Sequence, residues 1–275
     1  MRENLKLTIE AAIKAGKKTL QYYNDEVEVM TKSDDSPLTM ADLESDRIIC
    51  ETLKPTNIPQ LSEENANISF SERSAWNLFW LIDPLDGTKE FINKRAEYTI
   101  NIALVESGIP VLGVVYVPVQ NILYYGLKGE GSYKAIPGES VLVDDIIANA
   151  SRINGRKSGD KLQIVASRSH LSDETKDFIE KIQLITGECE MKSFGSSLKL
   201  CMIAEGAADI YPRIGPTMEW DTAASHAVAV YAGCEVKQFP GLQSLIYNKE
   251  NLQNPYFIVY SKDNEDIVKQ AIDLT

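Results

Sequence analysis

The sequence predicts an α+β protein in two halves, and three observations predict it. Helical periodicity opens the chain: Leu5, Ile9, Ile13 and Leu20 form one stripe, supported by Ala12 and Gly16. Short β-branched and aromatic segments separated by Gly or Pro follow. Beyond the polar, Gly-bearing stretch "NASRINGRKSGDK", strand-like and helix-like segments alternate. The boundary is set there, with an α+β half over 1–150 and a smaller α/β half over 151–275.

The elements follow in order. "SPLTMADLESDRIICETL" starts a second helix, with Thr39 as its cap and Asp42 in the capping-box position three residues later. "LFWLI", "TINIALVE", "VLGVVYVP" and "NILYYG" read as a strand meander. "GLKGEGSY" lacks the spacing and the strand-to-helix setting of a phosphate-binding loop, so its glycines are read as turn residues. After the boundary, "LQIVAS" reads as a strand and "SDETKDFIEKIQL" as a helix. "SLKLCMIAEG" is a helix closed by Gly206, "ADIYP" a strand, and "DTAASHAVAVYAG" a helix closed by Gly233.

Composition narrows the function. The 275 residues are 44% hydrophobic and 25% charged, with a net charge of −12. That balance argues against nucleic acid as a partner, which calls for a basic face. No apolar run approaches the roughly 18 residues of a membrane span. The opening "MRENLKLTIEAAIKAGKKTL" is amphipathic and mixed in charge, unlike a signal peptide. Cys50, Cys189, Cys201 and Cys234 are scattered, which fits reduced, packed thiols in a cytoplasmic protein. His170 and His226 are the only histidines, so a metal here is held by oxygen: Mg²⁺, Mn²⁺ or Ca²⁺ rather than zinc. An acidic chain with an anionic ligand needs something positive between the two.

Three segments can carry chemistry. "WLIDPLDGTKEF" read alone is a turn rich in turn formers. It also follows Leu78–Ile82, which reads as a buried strand, and Pro84 and Gly87 can bend it so that Asp83, the Leu85 carbonyl and Asp86 converge. Two close carboxylates repel, and a divalent cation removes that penalty. An EF-hand is excluded, because positions six and twelve from Asp83 are Thr88 and Lys94. In "LSEEN", Glu63 and Glu64 leave a strand end; alone they read as a solvated pair. In "EWDTAASHAVAVYAG", Asp221 sits at the expected N-cap of an Ala-rich helix, as a cap or as part of an anion site.

In this order, "LSEEN", "WLIDPLDGTKEF" and "WDTAA" resemble the lithium-sensitive, Mg²⁺-dependent phosphomonoesterase superfamily, which includes the inositol monophosphatases. "DPLDGTKEF", "GSSLK", "ASRSH" and "YPRIGPTMEWDTAA" are more similar to its bacterial 3'(2'),5'-bisphosphate nucleotidases. The resemblance implies an inositol monophosphatase-like αβαβα layered sandwich. It implies Mg²⁺ as cofactor, two or three ions per site, with Mn²⁺ substituting and Li⁺ and Ca²⁺ inhibiting. The metal ligands it carries over are Glu63, Asp83, the Leu85 carbonyl, Asp86 and Asp221. Thr88 matches the residue that helps activate the attacking water, and Asp42 is its partner.

The implied substrate is adenosine 3',5'-bisphosphate, with the 3'-phosphosulfate as a relative, in sulfur assimilation and nucleotide recycling. Besides the metal ligands Glu63, Leu85, Asp86 and Asp221, the expected substrate contacts are Gly87 and Thr88 at the phosphate. Ser196, Ser197, Lys199 and Arg213 are expected at the ribose or second phosphate. His170 either approaches the nucleoside or is structural, and Met218-Glu219, where relatives vary, bear on local substrate contacts. The implied enzyme is a cytoplasmic monomer or homodimer, with or without peripheral contact with the inner membrane. An inositol or sugar-phosphate phosphatase with the same metals is the alternative enzyme. A silent nucleotide- or metal-binding regulator is the alternative class.

Overall fold

The opening stripe is buried as its spacing predicts. Helix α1 (Arg2–Asn24) turns Leu5, Ile9, Ala12, Ile13 and Gly16 inward. The structure, a computed structural model, describes residues 1–24, 29–31, 37–138, 142–155, 161–167 and 172–274. A short hairpin, β1 (Val29–Thr31) and β2 (Pro37–Thr39), leads into α2 (Met40–Leu53). Then come β3 (Gln60–Ser62), α3 (Phe70–Arg73), β4 (Leu78–Asp86) and α4 (Thr88–Ile92). The meander is β5 (Thr99–Glu106), β6 (Ile109–Val117), β7 (Ile122–Leu127) and β8 (Gly131–Ala135), followed by α5 (Val143–Ala148) and β9 (Ser151–Ile153).

The alternating part is β10 (Leu162–Ser167), α6 (Asp173–Thr186), β11 (Cys189–Phe194), α7 (Leu198–Ala204), β12 (Ile210–Arg213) and α8 (Glu219–Tyr231). It ends with β13 (Cys234–Gln238), β14 (Phe257–Ser261) and α9 (Glu265–Asp273).

The strands make two large sheets. One runs β3 through β9 in sequence order, antiparallel except for the parallel β3–β4 pair. The other runs β11-β10-β12-β14-β13, with parallel and antiparallel pairs. Three apolar cores stack between the layers. Leu5, Ile9 and Ile13 of α1 and Ile49 and Leu53 of α2 pack on Trp80, Ile82 and Ile102. Leu198 and Leu200 of α7, with Trp220, Ala224 and Val228 of α8, lie between Phe79, Leu81 and Val115 on one side and Tyr211 and Val259 on the other. Phe178 and Ile182 of α6 and Val268 of α9 cover Ile164, Ile210 and Ile258 on the far side. The order is therefore helices, sheet, helices, sheet, helices: the αβαβα sandwich that the resemblance implies.

Two findings refine the halves. β9 pairs with β8, so the larger sheet continues past residue 150 to Ile153. A three-residue strand is too short to show periodicity. Helix α8, from the second half of the chain, also packs on β5, β6 and β7 of the first.

That contact is close. A Cβ built on Gly113 would stand 2.1 Å from the Ala224 carbonyl oxygen, and one on Gly126 would stand 2.6 Å from that of Ala227. Both obstacles are backbone atoms and cannot rotate away. Gly113→Ala is expected to lower stability by about 3 kcal/mol or more, read as a reduced urea midpoint. Gly138→Ala is the control, since a Cβ there meets nothing within 4 Å among the described residues. Equal midpoints for the two variants would refute the close approach.

Candidate active site

The site is set up by one irregularity in β4. Asp83 pairs with Asn101 of β5 and Asp86 with Thr99, so three steps along β4 face two along β5. One extra residue is a β-bulge. Phe79 and Leu81 face the middle helical layer, whereas Trp80 and Ile82 face α1 and α2. Alternation carries Asp83 to the middle layer, and the extra residue returns Asp86 to that same side. The Leu85 side chain goes the other way, into a cluster with Ala41, Phe91 and Tyr98. The strand expected to end at Ile82 thus runs to Asp86, because the bulge accommodates Pro84 without ending the pairing.

Helix α2 braces this segment. Thr39 caps it, and Asp42 completes the capping box: its Oδ2 accepts from the Thr39 N–H at 2.8 Å and the Thr39 hydroxyl at 2.6 Å. Asp42 Oδ1 accepts from the Thr88 hydroxyl at 3.4 Å. One turn on, the Ser45 hydroxyl donates to the Pro84 carbonyl at 2.6 Å, and Asp46 accepts from the Ser62 hydroxyl. Glu63 follows Ser62, which lies beside Ile82 in the parallel pair, so Glu63 emerges next to Asp83. The loop expected there is a 3-10 turn, Glu63–Asn65.

Asp221 is not the N-cap that its position suggests. Helix α8 begins at Glu219, Met218 is the cap residue, and the third helical residue, Asp221, accepts the Met218 N–H at 2.9 Å. Methionine has no oxygen with which to cap, so the carboxylate satisfies that N–H from inside the helix. Glu219 is fully buried. It accepts from the backbone N–H groups of Asn248 and Lys249 and pairs with the Lys249 ammonium, so it faces protein rather than a substrate.

Electrostatics show the convergence. Burial pushes the Asp83 carboxyl well above its ordinary range, and Glu63, Asp86 and Asp221 push it further. Burial likewise raises Asp221, with added repulsion from Asp86 and Glu63. Asp86 is pushed up to about 6, mainly by burial, with Lys199 and the Ser197 N–H opposing. Among the described residues no three Asp, Glu, His or Cys side chains stand in a closed ligand cluster. The four carboxylates share a field without sharing a point. A mutually repelling set of carboxylates, Asp83 buried and Glu63, Asp86 and Asp221 partly buried, fits a hard divalent cation and does not suit zinc.

The "GSSLK" segment meets "DGT" directly. Gly87 has φ +91, and a Cβ there would lie 3.3 Å from the Ser196 Cβ. The Ser197 N–H donates to Asp86 Oδ2 at 2.5 Å. The side chains expected to reach a nucleotide are largely committed inside the protein. The Ser196 hydroxyl donates to the Glu97 carbonyl at 2.6 Å, and the buried Ser197 hydroxyl to Asn101 Oδ1 at 2.6 Å. Lys199 is 7% exposed, and its ammonium donates to the Ser196 carbonyl at 2.6 Å. Burial lowers its pKa to about 8. The left-handed turn at Ser196 leaves that carbonyl outside the α7 ladder, and Lys199 satisfies it. Arg213 donates through Nη2 to the Pro216 carbonyl, while its buried Nε has no partner among the described residues. Its positive field reaches Asp221 and Lys199. His170 lies outside the described residues. Sequence reasoning passed over Thr99, Asn101 and Ser45; the one available signal was Asn101, a polar residue inside the apolar run "TINIALVE".

Comparison with known proteins agrees with the fold. The model of the inositol monophosphatase family matches residues 1–270, and the chain belongs to that family. A protein of Salmonella typhimurium named 3'(2'),5'-bisphosphate nucleotidase CysQ is 42% identical over 261 residues, 93% of this chain and 98% of that one. The protein of the same name from Escherichia coli K12 is 40% identical over 255 residues, 91% and 96% of the two chains. The crystal structure of CysQ from Bacteroides thetaiotaomicron superposes with a TM-score of 0.86 at 44% identity, covering 95% of this chain and 98% of that one. An inositol monophosphatase of Thermotoga maritima shares the fold, with a TM-score of 0.75 at 23% identity over 99% and 97% of the chains.

The raised Asp86 pKa has a consequence for the metal-free protein. The folded chain holds a proton that the unfolded chain has released, so stability falls as pH rises from about 4 through about 6. A shift of this size corresponds to roughly 3 kcal/mol at pH 7. Asp83 and Asp221, also raised, act in the same direction as Asp86, and His226, lowered to about 3 by burial, acts in the opposite direction as pH falls, so the parent curve alone mixes them. Melting of Asp86→Asn against the parent in EDTA separates them. The variant should gain several degrees on the parent between pH 5 and 7, and saturating Mg²⁺ should cancel the gain. A Tm difference independent of pH would contradict the buried, repelling state of Asp86.

Proposed function

We propose that this chain is a divalent-cation-dependent phosphomonoesterase that converts adenosine 3',5'-bisphosphate to AMP and phosphate, with the 3'-phosphosulfate analogue as a related substrate. The observation that carries the reaction class is the gathering of Glu63, Asp86 and Asp221 around the buried Asp83 in one repelling field. The names of the relatives at 40–42% identity support the substrate.

Glu63, Asp83, the Leu85 carbonyl, Asp86 and Asp221 would hold Mg²⁺. The cations supply charge neutralisation and Lewis-acid stabilisation of the phosphoryl group in transfer. They also account for an anionic substrate on a chain of net charge −12. The protein's own groups do the rest. Asp42 has one oxygen occupied by Thr39 and the other facing the Thr88 hydroxyl. Thr88 therefore donates to Asp42 and keeps its lone pairs for an attacking water. A proton leaving that water passes to Thr88 Oγ1 as the Thr88 proton moves toward Asp42 Oδ1. The backbone N–H groups of Gly87 and Thr88 hold the phosphate in line. The positive charge of Arg213, whose field reaches Asp221, favours a second phosphate that an inositol monophosphate lacks. Free cysteines, two of them buried, fit a cytoplasmic setting. No described helix is long and apolar enough to cross a membrane.

Phosphate release with Mg²⁺ should be fastest on adenosine 3',5'-bisphosphate, ahead of inositol 1-phosphate and fructose 1,6-bisphosphate. Mn²⁺ should substitute, and Li⁺ and Ca²⁺ should inhibit. Asp83→Asn should retain the parent's circular dichroism and lose nearly all turnover. Faster release from either sugar phosphate would overturn the substrate assignment, and near-parent turnover in Asp83→Asn the metal-site assignment.

A further inference from the structure

The face of the sheet that carries Asp83 and Asp86 also carries Thr99 and Asn101, and the chemistry above leaves both without a role. Asn101 is 1% exposed within an otherwise apolar strand. An amide there costs free energy unless both its ends are bonded. They are: Oδ1 accepts the Ser197 hydroxyl at 2.6 Å, and Nδ2 donates to Thr99 Oγ1 at 3.3 Å. Thr99 Oγ1 lies 2.9 Å from Ser197 Oγ and 3.5 Å from Asp86 Oδ2. That same Asp86 oxygen receives the Ser197 backbone N–H. Asn101, Thr99 and Ser197 therefore close a ring of hydrogen bonds around one carboxylate oxygen, and Ser197 comes to it from the second half of the chain.

We propose, resting on the cation-site reading, that Asn101 is a positioning residue: by anchoring Ser197 it keeps the Ser197 N–H on Asp86 Oδ2 and so orients Asp86 toward the cations. The turn it anchors is not self-sustaining. Ser196 has φ 44, a conformation that non-glycine residues adopt only when their surroundings hold them there. Released from Asn101, the turn can relax, and Asp86 loses both a hydrogen bond and its fixed rotamer. The position needs one donor and one acceptor, which is the amide's particular capacity. Aspartate would lack the donor and add charge to a group of repelling carboxylates, and leucine would fill the space and bond nothing. Partners that orient metal-binding carboxylates typically contribute about 10–100-fold to metal affinity.

Titrating Mg²⁺ against the Tm of the whole chain, without substrate, reads cation binding apart from turnover. Asn101→Ala and Ser197→Ala should each raise the Mg²⁺ concentration for half-maximal stabilisation about tenfold or more. The double variant should be no worse than the weaker-binding single one, because both changes cut the same link. At saturating Mg²⁺, Asn101→Ala should recover turnover, with KM for the nucleotide within about twofold of the parent. A purely packing role would lower the metal-free Tm and leave the Mg²⁺ midpoint where it is, and that result overturns the proposal. So do additive effects in the double variant. Should Asn101→Ala fail to fold, Ser197→Ala and Asn101→Ser decide by the same midpoint. A parent whose Tm ignores both Mg²⁺ and Mn²⁺ overturns the cation reading and the proposal together. A responsive parent beside variants with the same midpoint overturns the proposal alone.

Discussion

Two carboxylates three residues apart on a regular strand point to opposite faces of its sheet. The site therefore depends on the single extra residue between Asp83 and Asp86, which brings both to the face that looks at α7 and α8. The bulge lies just past the last residue of β4 that pairs with β3, Ile82, and leaves backbone groups without ladder partners. The sequence answers this locally. Pro84 has no N–H to leave unpaired, its carbonyl takes the Ser45 hydroxyl, and the Leu85 N–H is received by Asp83 Oδ1 at 3.1 Å. A proline paired on both sides argues against a strand; Pro84 stands where β4 has only β5 beside it and at a bulge, the setting in which a strand tolerates proline.

Gathering the carboxylates costs stability, and the surrounding structure holds them against their repulsion. Helix α2 presents Asp42, Ser45 and Asp46 on one stripe, at the i, i+3 and i+4 spacing that puts side chains on one face. They reach Thr88, the Pro84 carbonyl and Ser62 in turn. One helix face thus fixes both ends of the "DPLDGT" segment and the residue before Glu63. From the other side Ser197 binds Asp86, and Lys199 supplies partial opposing charge while satisfying the turn that carries Ser197. These braces make the site a fixed arrangement awaiting positive charge rather than a set of acids free to swing apart.

What was legible in the sequence was what is local. The Thr39–Asp42 capping box spans four residues, and the bend at Pro84 and Gly87 lies within six, so residue types and spacing suffice. The layering followed from resemblance and is matched by the three stacked cores. What was not legible is pairing at long range. Ser197 meets Asn101 across 96 residues and Asp86 across 111, and nothing in either segment announces the other. Ser197 and Lys199, expected as ligand contacts from the resemblance, also hold the turn together, Ser197 on Asn101 and Lys199 on the Ser196 carbonyl, and residue type alone does not announce that structural part. The start of α8 was misplaced for a different reason. An aspartate at the cap and one at the third helical position look alike in sequence, and only the Met218 N–H bond tells them apart.

The alanines after Asp221 complete the geometry. Ala224 lies three residues beyond Asp221, on the same face of α8. The Ala224 carbonyl oxygen is the atom that a Cβ on Gly113 would strike, so this face of the helix rests almost directly on β6. A larger side chain at position 223, 224 or 227, all of which are buried alanines, would lift α8 from the sheet. Asp221 would rise with it, away from β4 and β5. The spacing of "WDTAA" is thus a single device: the small residues set how near the helix comes, and that nearness brings a carboxylate from the second half of the chain into the field of Asp83 and Asp86. Packing density in the middle layer and charge in the site are set together by one end of α8, from Asp221 to Ala227.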